Sequence, residues 1–311
     1  MDGKLLEEQY RDYLSNFHSW DQLKHAQEWI LFEKNVGPRL SIDETCLSNS
    51  ELYTIVTNKD AKGRKGALVA MIKGTNSEYV KSILEKISLS KRRGVKEITL
   101  DMAPTMERIS RLSFPKAKLI TDRFHVQKLA YDAVQEMRIK YRWEALEQEN
   151  QEIDLAKEMK KRYIPEVLEN GDTLKQLLAR SRYLLFKSKS KWTPSQIHRG
   201  EILFRKYPSL EQAYNLAMQL GHIYSTTKTK GVAFTKLAQW YDRVEKAEFK
   251  SFNTIAKSIR EHYTTILNYF ENRSTNASAE SFNAKIKAFR ASFRGVKNVS
   301  FFLFRLSNIY A

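Results

Sequence analysis

The sequence has 311 residues, and its 53 lysines and arginines outnumber its 36 aspartates and glutamates, which gives a formal net charge of +17. This surplus favours a polyanionic partner such as nucleic acid, and a composition of 42% hydrophobic and 29% charged residues excludes a disordered chain. The single cysteine excludes internal disulfides and zinc sites built on cysteine pairs, and no apolar run approaches the ~18–20 residues that span a bilayer.

The first 36 residues predict an N-terminal helical segment. Apolar residues recur at helical spacing through residues 4–35 as two short amphipathic helices, and Gly37-Pro38 ends the pattern. Because the segment is charged and lacks the apolar core of a signal peptide, we expect a cytoplasmic protein with no membrane partner.

The pattern then changes to that of strands. Residues 39–44, 52–58 and 67–72 are rich in β-branched and apolar side chains and are joined by short polar connections, which predicts an antiparallel meander. Helices and strands alternate after it, with a helix from Asn76 or Ser77, a strand over 95–100, a helix opened by Pro104, a strand over 117–121 and a long helix from near His125. The order β-β-β-α-β-α-β-α resembles that of an RNase H-like fold, and this resemblance implies an α/β (α+β) architecture with a mixed five-stranded sheet and flanking helices.

A long all-helical insertion is predicted over residues 144–270, where only helical patterning is found. It divides the predicted catalytic core into a first part, 37–143, and a C-terminal part, 271–311. Within the insertion, residues 173–210 hold nine lysines and arginines and a single acid, Glu201, which favours contact with DNA phosphates.

Two aspartates, Asp43 and Asp101, come at the ends of predicted strands. If these strands are neighbours, both carboxylates lie at one edge of the sheet and repel each other, and a bound divalent cation removes that penalty. Two such ions support in-line attack on a phosphodiester. A lone strand-end aspartate is more often a turn or cap residue, so the interpretation depends on a third acid.

Glu280 is that acid, on a helix predicted to begin near Thr275 or Asn276. Residues 272–311 contain seven lysines and arginines and no other acid, whereas a solubilising surface helix would mix the two signs. An apolar face (Phe282, Ile286, Phe289, Phe293) is expected to pack on the sheet, beside a polar face (Glu280, Asn283, Lys287, Arg290, Arg294). The polar face predicts a metal ligand, Glu280, with DNA-contacting residues continuing along the helix.

Four motif strings resemble the successive motifs of the DDE transposases of the ISL-three (ISL3) family of bacterial insertion sequences, and more narrowly of its Aon-one-type subgroup. The resemblance covers roughly residues 37–311, and the Asp-Arg-Phe-His and Ala-Glu-Ser-x-Asn-x-x-Ile-Lys strings are its specific parts. The strings lie at 41–45 (Ser-Ile-Asp-Glu-Thr), 99–104 (Thr-Leu-Asp-Met-Ala-Pro), 121–126 (Thr-Asp-Arg-Phe-His-Val) and 276–287 (Asn-Ala-Ser-Ala-Glu-Ser-Phe-Asn-Ala-Lys-Ile-Lys).

The resemblance implies that Asp43, Asp101 and Glu280 are metal ligands for two Mg²⁺ ions, for which Mn²⁺ can substitute. It also implies an RNase H-like fold with a helical insertion before the glutamate, which the 179 positions from Asp101 to Glu280 can accommodate. It further implies a role for His125 near the scissile phosphate. Asp122, three residues earlier, could serve the site or cap the helix.

The chain departs from the family pattern before its first motif. Members of the wider family carry an upstream region with a Cys-rich zinc module and a helix-turn-helix, whereas only 42 residues precede Asp43 here. We therefore expect either a separate DNA-binding polypeptide that recognises the transposon ends or a truncated, inactive protein. In the first case the chain is expected to act as a homo-oligomer on double-stranded DNA. Nucleoid association in the bacterial cell is expected when DNA is bound.

Further residues are weaker candidates for DNA contact. Arg123 is interpreted as structural or phosphate-facing, and Glu44 is expected to be exposed because strand alternation sends it away from Asp43. The basic run before an aromatic residue predicts phosphate contacts with base stacking, or a loop with an anchoring tryptophan; it comprises Lys187, Lys189, Lys191 and Trp192.

The sequence as a whole predicts a transposase catalytic subunit. It would cleave DNA at insertion-sequence ends and transfer the strand by attack of the 3′-hydroxyl on target DNA. The alternatives are a non-catalytic or decayed transposase-derived DNA-binding protein and a stand-alone RNase H-like nuclease.

Overall fold

The computed structural model describes residues 3–47, 51–292 and 296–311. The strands in these ranges are β1 (Trp29–Leu31), β2 (Arg39–Cys46), β3 (Leu52–Asn58), β4 (Leu68–Lys73), β5 (Glu97–Leu100) and β6 (Lys118–Thr121). The α-helices are α1 (Gly3–Gln9), α2 (Ser77–Leu84), α3 (Leu89–Gly94), α4 (Pro104–Ser113), α5 (Arg123–Glu158), α6 (Leu174–Arg180), α7 (Pro194–Lys206), α8 (Pro208–Thr226), α9 (Lys230–Ala247), α10 (Lys250–Glu261), α11 (Tyr263–Asn272), α12 (Ala277–Ser292) and α13 (Val299–Tyr310). None of these helices has the length and apolar character needed to cross a membrane.

The six strands form one mixed sheet in the order β1-β4-β3-β2-β5-β6. The pairs β1-β4, β4-β3 and β3-β2 are antiparallel, whereas the pairs β2-β5 and β5-β6 are parallel. Parallel neighbours need a crossover, and here the connections to β5 and β6 carry helices α2, α3 and α4.

The prediction of five strands was wrong by one edge strand. The missed strand, β1, has three residues, and its tryptophan and isoleucine also fit a helical period in the sequence. Its extended conformation comes from pairing with β4, where Trp29 lies opposite Ile72. A pairing across this sequence distance leaves no local signal. The five predicted strands and the helix starts at Asn76 and Pro104 are confirmed.

Apolar side chains cover both faces of the sheet. On one face Leu40 and Ile42 of β2 belong to a core with residues of α2 and α4, and on the other Ile55 of β3 packs with residues of α12 and α13. Successive side chains of a strand point to opposite faces, so Ser41 and Asp43 point towards the α12 side. This alternation brings Asp43 to the helix that carries Glu280.

The chain divides into two compact units, Met1–Phe124 with Thr264–Ala311, and His125–Tyr263. The first unit holds the sheet and its two cores. The second, every residue of which is described, contains helices and no strand. The sequence placed the borders of a helical insertion at residues 144 and 270, whereas the second unit begins inside the predicted core, at the start of α5.

Candidate metal centre at the ends of the parallel strands

Three aspartates stand at one level across the parallel strands. Ser41 of β2 lies opposite Thr99 of β5, and two residues further along each strand come Asp43 and Asp101. Leu100 of β5 lies opposite Thr121 of β6, and the next residues are Asp101 and Asp122. The backbone N–H of Asp122 donates to the Leu100 carbonyl at 2.9 Å, which holds β6 in this register. The three aspartates therefore lie at one level across three adjacent strands, with Asp43 inside β2 and Asp101 and Asp122 directly after β5 and β6.

Asp43 accepts hydrogen bonds from a backbone amide and from a side-chain amide. Its Oδ1 accepts the Glu44 backbone N–H at 2.8 Å, and its Oδ2 accepts Nδ2 of Asn283 at 2.6 Å. Asn283 is on α12, so this bond joins Asp43 to the helix that carries Glu280. The sequence assigned Asn283 to DNA contact, and its bond to Asp43 was not visible there because 240 positions separate the two residues.

Asp101 is shaped by the turn into α4. Its Oδ1 accepts the Ala103 backbone N–H at 2.9 Å, and Pro104 then occupies the first turn of the helix. An aspartate that bonds the backbone two residues ahead favours this turn, and proline suits the first helical position because no donor is lost there. No described residue donates a hydrogen bond to the other carboxylate oxygen of Asp101, Oδ2.

Glu280 lies in the first turn of α12, whose buried side is fixed by Phe282 and Ile286. Burial of each such side chain contributes about 1.5–3 kcal/mol. The residue before the helix, Asn276, is 1% exposed; its Oδ1 accepts the Ser41 hydroxyl and its N–H donates to Asp122 Oδ1 at 3.4 Å. A carboxylate oxygen of Glu280 lies within 4.8 Å of one of Asp122.

A buried lysine anchors the segment before α12. The Lys59 ammonium donates to Glu97 Oε1 at 3.3 Å and to the hydroxyls of Thr99 and Ser274, each at 2.5 Å. Ser274 also donates to Glu97. Burial lowers the pKa of Lys59, and Glu97 opposes that shift. The network therefore ties β5 to the residues that position Glu280.

Glu44 lies half-buried beside these acids, although strand alternation predicted exposure. Burial, and after it the carboxylates of Asp101 and Asp43, raise the pKa of Glu44 above its usual value. Burial and like-charged neighbours both disfavour the charged form of the Glu44 carboxyl group.

The donor set fits a hard divalent cation. All the gathered groups offer carboxylate oxygens, which Mg²⁺ and Mn²⁺ prefer. Asp122 Oδ2 is a buried acceptor that finds no hydrogen-bond partner within the described ranges. A buried polar atom left in this way calls for a ligand or ion. Among the described residues of this unit, Asp122 and Glu280 are the acids whose carboxylate oxygens lie within 4.8 Å of each other in a close group of possible metal ligands, and Asp43 and Asp101 do not belong to that group.

The other described residues predicted to contact DNA or the scissile phosphate are on helices α5 and α12 and in the basic run of the second unit. Arg123, at the start of α5, donates to the Tyr269 hydroxyl at 3.3 Å. His125 is half-buried and is the first residue of the second unit. On α12 Lys287 is exposed and Arg290 donates to the Cys46 carbonyl at 3.4 Å, while Arg294 lies outside the described residues.

In the second unit the basic run keeps its lysines exposed, but its tryptophan is buried. Trp192 is 9% exposed, and its Nε1 donates to the Leu184 carbonyl at 2.9 Å. Its ring packs against Phe204 and Tyr214. The sequence allowed two roles for Trp192, stacking on a DNA base or anchoring a loop. Because the ring has no exposed face, it cannot stack on a base, and Trp192 anchors its loop.

Comparison with known proteins supplies the family. No curated protein and no solved structure matches the chain. A protein-family model described as a transposase, that of the ISL3 (ISL-three) DDE type, matches residues 40–306 and so covers most of the chain and all the acids above. Transposases act on DNA, and DDE transposases generally use divalent metals. The chain belongs to the ISL3 family of DDE transposases.

Proposed function

We propose that this protein is the catalytic subunit of a transposase that cleaves DNA at insertion-sequence ends and joins the freed 3′-hydroxyl to target DNA. Asp43, Asp101 and Glu280 would hold two Mg²⁺ ions. The observation that carries the proposal is the register of Asp43 and Asp101 on adjacent parallel strands, with the Glu280 helix bonded to Asp43 through Asn283.

The strand order supports an RNase H-like core. Three antiparallel strands (β4, β3, β2) are followed across the sheet by two parallel strands (β5, β6), each reached through a helix. Strand β1 adds an edge to this pattern. The second unit would then be the helical insertion that precedes the helix of Glu280.

The chain's own residues prepare the site for its cations. Asn283 and the Glu44 N–H each engage one oxygen of Asp43, and a carboxylate oxygen that accepts one hydrogen bond can also bind a metal ion through its second lone pair. Bound divalent cations would activate the attacking oxygen and stabilise the charge that develops on the phosphate. His125 is proposed to donate to that phosphate. A covalent enzyme intermediate is not required.

The first prediction concerns Asn283, whose amide orients Asp43. Replacement of Asn283 by alanine should weaken Mn²⁺ binding and slow DNA cleavage by about 10- to 100-fold, the usual cost of losing a residue that orients a metal ligand. Isothermal titration with Mn²⁺ and a cleavage assay measure the two effects. Asn253→Ala, on the exposed side of α10, is the matched control; equal behaviour of the two variants would contradict the role.

An arginine cluster in the second unit is proposed to contact the DNA backbone. Arg138 is 5% exposed and donates to Gln135 Oε1 at 2.6 Å and to the Leu178 carbonyl at 2.9 Å. Burial, and then the nearby Arg142 and Arg182, lower the pKa of Arg138. Across the described part of the chain, none of the three forms an ion pair with a carboxylate. Phosphates would supply the missing negative charge.

Neutralising the exposed members of this cluster should therefore reduce DNA affinity. The double variant Arg142→Gln with Arg182→Gln is expected to lower the slope of log affinity against log salt by about two, equally on any duplex sequence. The control double variant, Arg205→Gln with Lys246→Gln, removes the same charge from residues already paired with Glu169 and Asp242. Equal slopes for the two double variants would exclude the cluster from the DNA surface.

A strand-transfer assay tests the function itself. Purified full-length protein, Mg²⁺ and pre-cut ends from the flanks of its coding sequence should yield joined products with a target plasmid. The assay is run with and without the polypeptide encoded beside this chain, because the sequence predicts that a separate polypeptide recognises the ends. Hydrolysis without joining would favour the stand-alone nuclease, and binding without cleavage the decayed transposase. Membership of the Aon-one-type subgroup and self-association on DNA stay predictions.

A further inference from the structure

Asp122 is a buried carboxylate whose charge is poorly satisfied. Its side chain is at the end of β6 and is 1% exposed. Oδ1 accepts a single long bond, from the Asn276 N–H at 3.4 Å, and Oδ2 accepts none from any described residue. Neither oxygen therefore caps α5, which was the alternative role that its position in the sequence suggested.

Other buried acids of this chain are paired with cations. Asp172, also 1% exposed, accepts bonds from Arg180 and from Arg199, the latter at 3.0 Å. Although burial opposes it, these bonds hold the pKa of Asp172 below its usual value. Glu97 is likewise paired with Lys59. Burial of a carboxylate without such a partner costs several kcal/mol, so Asp122 is an exception that needs an explanation.

Two cationic side chains near Asp122, those of Lys59 and Arg123, are bonded to other groups. Lys59 acts on Asp122 through space, but its ammonium is bonded to Glu97, Thr99 and Ser274. The neighbouring Arg123 donates to the hydroxyl of Tyr269. Another carboxylate, that of Glu280, has an oxygen within 4.8 Å of one of the Asp122 oxygens.

Two carboxylate oxygens at this separation can share one ion. Oxygen ligands lie about 2.0–2.6 Å from Mg²⁺ or Ca²⁺-sized cations, so oxygens on opposite sides of the ion are about 4–5 Å apart. We infer that Asp122 is a fourth carboxylate of the metal centre, and that it binds a divalent cation together with Glu280. The inference rests on the proposed function for the role of Glu280 and adds the third parallel strand to the site.

Two measurements on the full chain test this assignment without an activity assay: the affinity for Mn²⁺ and the temperature of thermal unfolding. Asp122→Asn keeps the shape and the acceptor for Asn276 but removes the charge. Without metal, this variant should unfold at the same temperature as the unsubstituted protein or at a higher one. It should bind Mn²⁺ at least tenfold more weakly. Mn²⁺ should therefore raise its unfolding temperature much less than that of the unsubstituted protein. Asp172→Asn, the control, should unfold at a lower temperature and keep the original Mn²⁺ affinity. Asp122→Ser is the second variant if the first does not fold.

Each outcome decides between the two claims. Unchanged Mn²⁺ affinity in Asp122→Asn, with affinity lost in Asp43→Asn and Glu280→Gln, would overturn the inference and leave the proposed function standing. Reduced stability with unchanged Mn²⁺ affinity would make Asp122 a structural acceptor for Asn276. Absence of Mn²⁺ binding by the unsubstituted protein would overturn both.

Discussion

Replacement of Asp43, Asp101 or Glu280 by its amide is expected to abolish Mg²⁺-dependent cleavage and strand transfer while DNA binding is kept. An amide preserves size but removes the negative charge that a hard cation requires. Metal-based stabilisation of the charge on a reacting phosphate is worth several kcal/mol, and each 1.36 kcal/mol is a factor of ten in rate. The rate should therefore fall by about three orders of magnitude or more in each variant.

The matched control is Asp242→Asn, which removes a carboxylate from an exposed ion pair on α9. It changes the net charge equally and should leave the rate unchanged. Cleavage is measured on pre-cut and uncut ends, and DNA binding by a mobility-shift titration in Ca²⁺. Full activity of any one amide variant would remove that residue from the metal centre. Loss of activity together with loss of DNA binding would point to misfolding instead.

The positions of the two predicted aspartates on their strands could be inferred in large part because the signals are local. Alternating apolar residues locate β2 and β5, and Asp101 directly follows β5 as expected, whereas β2 continues beyond Asp43 to Cys46. The helical period of α12 likewise separates Phe282 and Ile286 from the polar side that holds Glu280, and both phenylalanine and isoleucine are buried as expected. Patterns of this kind depend on neighbours a few residues away.

The remaining features depend on contacts between distant segments. The bond from Asn283 to Asp43 and the burial of Asp122 against Asn276 join residues more than 150 positions apart. No periodicity records such contacts, so the sequence could treat Asn283 only as a polar residue near DNA and Asp122 only as a possible cap. The burial of Trp192 had the same cause, since its partners Phe204 and Tyr214 lie on the next two helices.

The largest loss of stability is expected from Lys59→Met, because among the described residues Lys59 is the cation bonded to buried Glu97. Both side chains of this pair are less than 10% exposed, and loss of one partner of a buried pair costs about 3–5 kcal/mol, since it leaves an uncompensated charge. Urea unfolding, with hydrogen exchange resolved to β5 and α12, measures the change. The double variant with Glu97→Gln should recover part of the loss, which a double-mutant cycle quantifies.

Lys118→Met provides the comparison, because Lys118 pairs with Glu271 where both side chains are more than a third exposed. An exposed pair contributes about 0–1 kcal/mol, so the two lysines should differ by several-fold in cost. The effect of Lys59→Met should extend to the metal centre, since its partner Ser274 lies three residues before α12. Faster exchange at the start of α12 and weaker Mn²⁺ binding are therefore expected together. A variant that loses stability but binds Mn²⁺ with the original affinity would separate the lysine network from the positioning of Glu280.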